Sequence, residues 1–127
     1  MTAVRLVALL VAAMLALASF DGFARGRPGD DLETISFREL PREARQVYDS
    51  ILSGGPFRYE RDGVVFGNRE RSLPLRPRGY YHEYTVPTPG VRNRGARRII
   101  CGGPMTSPEL CFYTDDHYRS FRRIRTS

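Results

Sequence analysis

The segment from residue 80 to residue 100 constrains the fold of this chain more than any other stretch. Residues 80–86, Tyr-Tyr-His-Glu-Tyr-Thr-Val, are rich in aromatic and β-branched side chains, which favour an extended strand. Residues 96–101 have the composition of a partner strand, and the Pro-Thr-Pro-Gly run at 87–90 interrupts the pairing between them. The segment therefore predicts two antiparallel strands at the centre of the fold.

Ionisable side chains of opposite sign fall on one face of this predicted pair. Side chains alternate between the two faces of a strand, so a turn centred near residues 90–91 places Glu83 opposite Arg98. Arg94, two pleats before Arg98, projects the same way if the strand extends that far, whereas His82 faces the other side and is interpreted as structural. One carboxylate and two guanidiniums then converge, a set that suits an anionic substrate whose hydroxyl must lose a proton.

The N-terminal residues have the pattern of a secretory signal peptide. Arg5 precedes an apolar run of 12 residues, Leu6 to Leu17, which is too short to span a bilayer. Small residues near position 18 and at Ala24 offer cleavage sites. We therefore predict that residues 1–24 are a signal peptide and that the protein is secreted to the extracellular side. An uncleaved membrane anchor is the alternative that the pattern leaves open.

Residues 25–31 are predicted to be a flexible linker and residues 32–127 one folded domain, with no membrane segment in the mature form. The chain carries 20 arginines and no lysine against 14 Asp plus Glu, for a net charge of +6. On a secreted domain this balance indicates an acidic partner such as nucleic acid, an anionic cell-wall polymer or an acidic inhibitor. Arginine also binds phosphate with two parallel donors, which lysine does not.

The two cysteines, Cys101 and Cys111, are predicted to form a disulfide, because the destination of the chain is oxidising. Such a bridge contributes about 2–3 kcal/mol by the chain-entropy model. No histidine lies beside either cysteine, so the spacing makes a poor zinc site. We predict neither a metal nor a cofactor.

Periodicity along the rest of the chain indicates an α+β fold, with one N-terminal helix packed on an antiparallel β-sheet. Pro41 is predicted to open the helix, and Gly54-Gly55-Pro56 to end it. Its apolar stripe follows helical spacing and comprises Ala44, Val47, Tyr48, Ile51 and Leu52. Beyond the central pair, the predicted strands are residues 32–37, 109–114 and 118–124, and a short apolar run spans residues 64–66.

The ionisable residues match the needs of metal-free RNA cleavage. That reaction requires a base for the 2′-hydroxyl, an acid for the departing 5′-oxygen and cations for the phosphoryl oxygens. Glu83 is the candidate base, His117 the candidate acid, and Arg94 and Arg98 the candidate phosphate ligands. The sequence leaves open a structural interpretation of the same residues. In it, Glu83 and Arg98 form a cross-strand ion pair, His117 is a turn residue, and the arginines form a solvent-exposed basic face.

Seven sequence blocks in order resemble the bacterial guanyl-specific ribonucleases, the secreted barnase-like microbial ribonucleases, and above all their small streptomycete-type members. The resemblance covers nearly all of residues 40–124. The blocks are Gly-Pro-Phe at 55–57, Asp-Gly-Val-Val-Phe at 62–66, Asn-Arg-Glu at 68–70, residues 79–86, Thr-Pro-Gly at 88–90, residues 94–100 and Asp-His-Tyr at 116–118.

The resemblance implies the microbial ribonuclease fold and a secreted endoribonuclease that cleaves single-stranded RNA 3′ of guanosine. It implies that Glu83 is the general base, His117 the general acid, and Arg94 and Arg98 the phosphate ligands. Cleavage in this family is a transesterification to a 2′,3′-cyclic phosphate, followed by hydrolysis to the 3′-phosphate.

The resemblance further implies a guanine site, comprising Val64, Phe66, Gly67, Asn68, Arg69, Glu70 and Tyr118. The chemistry agrees, because the Glu70 carboxylate can accept both N1–H and N2–H of guanine. Backbone N–H groups of Asn68 and Arg69 can donate to O6 and N7. Phe66 and Tyr118 supply the aromatic surface that recognition of single-stranded RNA usually needs.

The family also has small acidic protein inhibitors of the barstar type, so such an inhibitor is a possible partner of what we expect to be a monomer. Two alternatives stay open. One is a non-catalytic basic module that binds RNA or another anionic polymer, and the second is a ribonuclease toxin domain delivered to a target cell.

Overall fold

The computed structural model describes residues 27–126, which form a six-stranded sheet with one α-helix packed on one face. In chain order the elements are β1 (Thr34–Ser36), a 3-10 turn (Phe37–Glu39), α1 (Arg42–Ser53), β2 (Val64–Val65), β3 (Tyr81–Thr85), β4 (Arg98–Gly102), β5 (Leu110–Thr114) and β6 (Arg122–Arg125). The predicted signal peptide, residues 1–24, lies outside the described residues. Between residues 27 and 126, no helix has the length and apolarity to cross a membrane.

The strand order is β1-β6-β5-β4-β3-β2, and the four pairs from β6 to β2 are antiparallel. This confirms the α+β prediction with a single helix. The edge strand β1 is the exception, because it pairs parallel with β6. Parallel strands need a long crossover, and the rest of the domain, including α1, intervenes between the two. The prediction of a wholly antiparallel sheet is wrong at this edge.

The apolar stripe of α1 packs against the sheet as its periodicity predicts. Ala44 and Ile51 are buried, and Val47 and Tyr48 pack against the same cluster, but Leu52 at the margin of the stripe is 45% exposed. The helix ends at Gly54, which adopts a left-handed conformation with φ 79° that a residue with a side chain rarely adopts. Its N–H bonds back to the carbonyl of Ile51 and thereby caps the last turn.

Both faces of the central strands are buried. The face toward α1 carries Tyr84, Ile99 and Tyr113, together with the disulfide between Cys101 and Cys111. These two cysteines are direct partners in the β4–β5 register, which confirms the predicted pairing. The opposite face carries a second cluster, formed by Leu73, Tyr81, Ile100, Phe112 and Phe121. Since side chains alternate, the odd-numbered residues of β3 share this second face with the even-numbered residues of β4.

The register of the central pair differs from the prediction by two residues. Thr85 pairs with Arg98, and Glu83 pairs with Ile100. The pairing is therefore centred between residues 91 and 92 instead of between 90 and 91, and the last loop bond before the strands joins Val86 N–H to the Arg97 carbonyl at 3.1 Å. Moving the centre by one residue moves each partner by two, which keeps every side chain on its face. Glu83 and Arg98 are thus diagonal neighbours on one face.

Candidate active site

Two of the four side chains predicted to carry the chemistry, Glu83 and His117, line one cavity of about 760 Å³. Arg94 and Arg98 do not line it but bond to Glu83 and to Tyr118, respectively, at its edge. The cavity lies between the loop of residues 65–72, the strand β3 and the turn of residues 117–121. Its lining comprises Arg61, Val65, Phe66, Gly67, Asn68, Arg69, Glu70, Ser72, Glu83, His117, Tyr118, Arg119 and Phe121. A second cavity of about 800 Å³ lies beside the N-terminal segment, but its lining contains no histidine or glutamate. The two residues predicted to transfer protons, Glu83 and His117, therefore select the first cavity as the candidate site.

Glu83 is the most enclosed ionisable group of this cavity, with only 7% of its side chain exposed. Oε1 accepts a hydrogen bond from Nη2 of Arg94 at 3.4 Å and lies 3.8 Å from Nε of Arg61. Oε2 accepts a bond from the Tyr118 hydroxyl at 3.0 Å. A buried carboxylate held by cations and a hydroxyl is oriented and lies where a substrate hydroxyl can reach it.

The two predicted phosphate ligands differ sharply in exposure. Arg98 is 2% exposed, and Nη1 donates to the carbonyls of Arg94 and Arg97 at 3.4 and 2.7 Å, while Nε donates to the Tyr118 hydroxyl at 3.1 Å. The Arg94 side chain is 27% exposed, and Nε and Nη2 donate to Oγ1 of Thr85 at 3.0 and 2.8 Å. Arg98 is thus the fixed cation beneath the site, and Arg94 the one at its surface.

The turn that carries His117 replaces the start of the predicted last strand. His117 and Tyr118 have φ values of 57° and 71°, so both are left-handed, and β6 begins only at Arg122. Left-handed backbone costs roughly 1–2 kcal/mol for each such residue. The prediction of a strand over residues 118–124 is therefore wrong in its first half, because left-handed residues do not continue an extended strand.

A hydrogen-bond network holds this strained turn in place. Oγ1 of Thr114 accepts from the Tyr118 N–H at 3.2 Å and donates to Asp116 at 2.8 Å. Asp116 also accepts bonds from the backbone N–H and the hydroxyl of Ser120, at 2.9 and 2.5 Å. These bonds, led by that of the Ser120 hydroxyl, lower the pKa of Asp116 to about 2. His117 N–H donates to the Ala96 carbonyl at 2.9 Å, which ties the turn to the edge of β4.

Tyr118 joins the ionisable groups to the aromatic part of the cavity. Its ring stacks on Phe66, with centroids 5.5 Å apart, and its hydroxyl bridges Glu83 and Arg98. Burial raises the pKa of Tyr118, and the neighbouring Glu83 carboxylate raises it further. The hydroxyl therefore stays protonated at neutral pH and keeps its donor for Glu83.

The loop predicted to bind guanine is held by the side chain of Asn68. Its Nδ2 donates to the Leu73 carbonyl at 3.0 Å, and its Oδ1 accepts from the Leu73 N–H at 3.1 Å. Asn68 has a φ of 50°, a left-handed conformation that asparagine tolerates better than most residues. Gly67, in contrast, has no positive φ. Val65 lines the cavity. Val64, which the sequence analysis assigned to the guanine site, does not line it and pairs with Glu83 between β2 and β3.

Several residues of the site escaped the sequence analysis. They are Arg61, Val65, Ser72, Arg119 and Phe121 in the lining, Thr85 as the partner of Arg94, and the network of Thr114, Asp116 and Ser120. Only Asp116 had a local signal, since aspartate before an exposed turn often bonds to backbone N–H groups further along. The others approach the cavity through contacts between distant segments, which no local pattern encodes.

Comparisons with known proteins agree with this arrangement. The model of the ribonuclease family matches residues 26–125. The guanyl-specific ribonuclease Sa of Kitasatospora aureofaciens is 52% identical over 91 residues, which are 72% of this chain and 92% of that protein. The guanyl-specific ribonuclease Sa3 of the same organism is 53% identical over 90 residues, or 71% of this chain and 62% of that protein, so the match spans less than two thirds of Sa3.

Solved structures of ribonucleases are also similar to this chain. Ribonuclease Sa2 in complex with guanosine-2′-cyclophosphate is 42% identical and superposes with a TM-score of 0.68, covering 75% of this chain and 97% of that one. Ribonuclease Sa2 with 3′-GMP is 40% identical with a TM-score of 0.67, covering 75% of this chain and 98% of that one.

Proposed function

This chain belongs to the ribonuclease family, and from that membership we propose that it is a guanyl-specific endoribonuclease that acts on single-stranded RNA without a metal. The relatives named above are guanyl-specific ribonucleases, and a similar structure holds a guanosine cyclic phosphate. One observation carries the proposal for this chain. The enclosed Glu83 carboxylate shares a cavity with His117 and with the aromatic loop of Phe66 and Glu70.

In the proposed first step, Glu83 takes the proton of the ribose 2′-hydroxyl, and the freed oxygen forms a bond to the adjacent phosphorus. The bond from phosphorus to the 5′-oxygen breaks, and that oxygen takes a proton from His117. Arg94 and Arg98 stabilise the negative charge that builds on the phosphoryl oxygens. The product is a 2′,3′-cyclic phosphate.

In the proposed second step, His117 and Glu83 exchange roles. His117 takes a proton from water, and the water oxygen forms a bond to phosphorus. The bond from phosphorus to the 2′-oxygen breaks, and that oxygen takes the proton from Glu83, which leaves a 3′-phosphate. DNA lacks the 2′-hydroxyl that supplies the attacking oxygen. It should therefore bind to the basic surface without being cut.

The guanine preference is assigned to the loop of Phe66, Asn68, Arg69 and Glu70. Glu70 lies on the cavity and offers two carboxylate oxygens to the N1–H and N2–H donors of guanine. The Phe66–Tyr118 stack provides an aromatic surface for the base. Adenine offers neither donor at the same edge, so the Glu70 carboxylate discriminates against it.

We also propose that the protein is exported through the signal peptide predicted at residues 1–24 and acts as a monomer. An acidic inhibitor of the barstar type would protect the producing cell. The net charge of +6 supports both an acidic inhibitor and an RNA substrate.

The proposal is tested with the mature protein on the dinucleotides GpC and ApC in the presence of EDTA. We expect guanosine 2′,3′-cyclic phosphate to form from GpC much faster than the adenosine product forms from ApC. Glu83→Gln and His117→Ala should each lower the rate by about 10²–10⁴-fold. Thermal unfolding of each variant serves as the control for folding.

Other outcomes select another function. Equal cleavage of GpC and ApC would keep the ribonuclease and remove the guanine site. Salt-dependent RNA binding without cleavage of either dinucleotide would favour the non-catalytic binding module.

A further inference from the structure

Arg61 is a third guanidinium at the candidate site and has no role in the mechanism described so far. Its Nε lies 3.8 Å from Oε1 of Glu83, the same oxygen that Arg94 contacts at 3.4 Å. Its side chain lines the cavity and is 64% exposed, against 27% for Arg94. Arg61 therefore lies at the mouth of the site, on the side from which a substrate enters.

The backbone at Arg61 is fixed although its side chain is exposed. The Arg61 carbonyl accepts from the Val64 N–H at 3.2 Å, and the next residue, Asp62, bonds through its carboxylate to the N–H of Thr85 at 2.7 Å and of Tyr59 at 3.1 Å. The Gly63 N–H donates to the Glu83 carbonyl at 2.8 Å. These bonds hold the backbone of residues 61–63 alongside β3, so the position of Arg61 on the cavity edge is fixed although its side chain is exposed.

The three arginines differ in how many of their side-chain N–H groups already donate hydrogen bonds within the protein. Arg98 uses Nε and Nη1 on Tyr118 and on two backbone carbonyls, and Arg94 uses Nε and Nη2 on Thr85 and Glu83. Within residues 27–126, Arg61 donates no hydrogen bond and has only the long contact to Glu83. Its five N–H donors are thus available to a ligand.

We propose that Arg61 is a third phosphate ligand, which pairs with Glu83 in the free enzyme and turns to the phosphoryl oxygens when substrate binds. This inference rests on the proposed function. As the 2′-hydroxyl proton moves to Glu83, the carboxylate becomes neutral, and its negative charge passes to the phosphoryl group as the new oxygen–phosphorus bond forms. The Arg61 guanidinium, which faced the Glu83 carboxylate in the free enzyme, then faces the negatively charged phosphoryl oxygens. Its attraction to these oxygens in the transition state is stronger than its attraction to Glu83 in the free enzyme.

The test compares wild type with Arg61→Gln, Arg61→Lys and the matched control Arg58→Gln. Arg58 carries the same charge on the same loop, but its guanidinium lies over the Tyr59 ring, 5.5 Å from the centroid, and it does not line the cavity. Binding of 3′-GMP and of guanosine is measured by calorimetry, because these two ligands differ only in the phosphate. Kinetics on GpC are measured in parallel at low and high salt.

We expect Arg61→Gln to weaken 3′-GMP about tenfold and to leave guanosine binding within about twofold. It should lower kcat on GpC more than it raises KM, Arg61→Lys should recover part of the loss, and Arg58→Gln should change each value less than about twofold. Equal losses in Arg61→Gln and Arg58→Gln would overturn the inference in favour of a general basic field. Unchanged 3′-GMP binding, or an equal loss of guanosine binding, would overturn it as well. If wild type binds neither ligand and leaves GpC intact, the proposed function fails together with this inference.

Discussion

The Tyr118 hydroxyl donates a hydrogen bond of 3.0 Å to Oε2 of Glu83. The Tyr118 hydroxyl oxygen in turn accepts a hydrogen bond from Nε of Arg98 at 3.1 Å, so one hydroxyl fixes the carboxylate and the buried guanidinium relative to each other. Arg98 also lies over the Tyr118 ring, 5.7 Å from its centroid. Tyr118 reaches this position only because its backbone is left-handed, at φ 71°. The orientation of the Glu83 carboxylate therefore depends on this turn as well as on the strand that carries Glu83.

Tyr118→Phe should retain the stack on Phe66 and lose the bridge between Glu83 and Arg98. We expect kcat/KM on GpC to fall by roughly 10–100-fold, because two charged groups each lose a hydrogen bond. Tyr80→Phe is the matched control, since it removes a tyrosine bond of 3.2 Å to Glu109 away from the cavity. Equal kinetics for the two variants would contradict a role for the bridge.

Asn68 should control guanine preference through the loop and not through contact of its side chain with the base. Asn68→Gly keeps the left-handed backbone but removes both bonds to Leu73, and Asn68→Ala also adds backbone strain. We expect the GpC-to-ApC rate ratio to fall about tenfold in both variants. Chemical unfolding should show Asn68→Ala to be less stable than Asn68→Gly by about 1 kcal/mol. A preserved rate ratio in both variants would show that the loop holds its shape without Asn68.

Asp116→Asn should reduce stability at neutral pH but not in strong acid. The folded pKa of Asp116, about 2, lies below the ordinary aspartate value of 3.8, so the ionised carboxylate contributes stability above pH 4. That contribution is lost as the pH falls toward 2. A shift of this size corresponds to ~2 kcal/mol for a shielded group, and partial exposure reduces it to about 1 kcal/mol.

The measurement is the free energy of unfolding of wild type and Asp116→Asn between pH 2 and 7. The two curves should differ near neutral pH and converge at the acid end. Asp115→Asn is the control, because Asp115 is an exposed neighbour paired with Arg122 at 3.6 Å. A constant difference between wild type and Asp116→Asn at every pH would contradict the assignment.

Removal of the Cys101–Cys111 bridge should lower stability without changing the chemistry. The disulfide joins neighbouring strands on the α1 face, whereas the candidate site lies on the opposite face. We expect Cys101→Ala/Cys111→Ala to cost about 2–3 kcal/mol and to lower Tm by roughly 10 °C or more. Its kcat on GpC at 20 °C should match that of wild type. Reductant should lower the Tm of wild type and leave that of the variant unchanged; a response in both would point to a cause other than the disulfide.

Much of the fold followed from local pattern. The period of α1, the composition of β3 and β4 and the glycines after the helix predicted elements that the structure contains, with boundaries differing by one or two residues. The residues that line the cavity were also largely predictable, because the resemblance assigned Glu83, His117 and the loop around Glu70. Their individual roles stay predictions until the variants are measured.

The differences between the predicted and the observed structure share one physical origin. The register of β3 and β4 depends on how the 86–97 connection folds, and β1 pairs parallel with β6 through contacts between the two ends of the domain. The left-handed turn at His117 depends on Thr114 and Ala96, which approach it only in the folded sheet. Local propensity does not record such contacts, since they arise between segments far apart in the chain.

The amino-acid sequence by itself determined which side chains share a face, because alternation along a strand is local and survives a shift of register by two. It therefore put Glu83 and Arg98 on one side of the sheet. Only the tertiary structure decided how these groups meet: Tyr118 between them, Arg98 buried beneath and Arg61 at the mouth. The reason is that each of these contacts joins segments whose distance is set by packing and loop closure, and neither is a property of any single stretch of sequence.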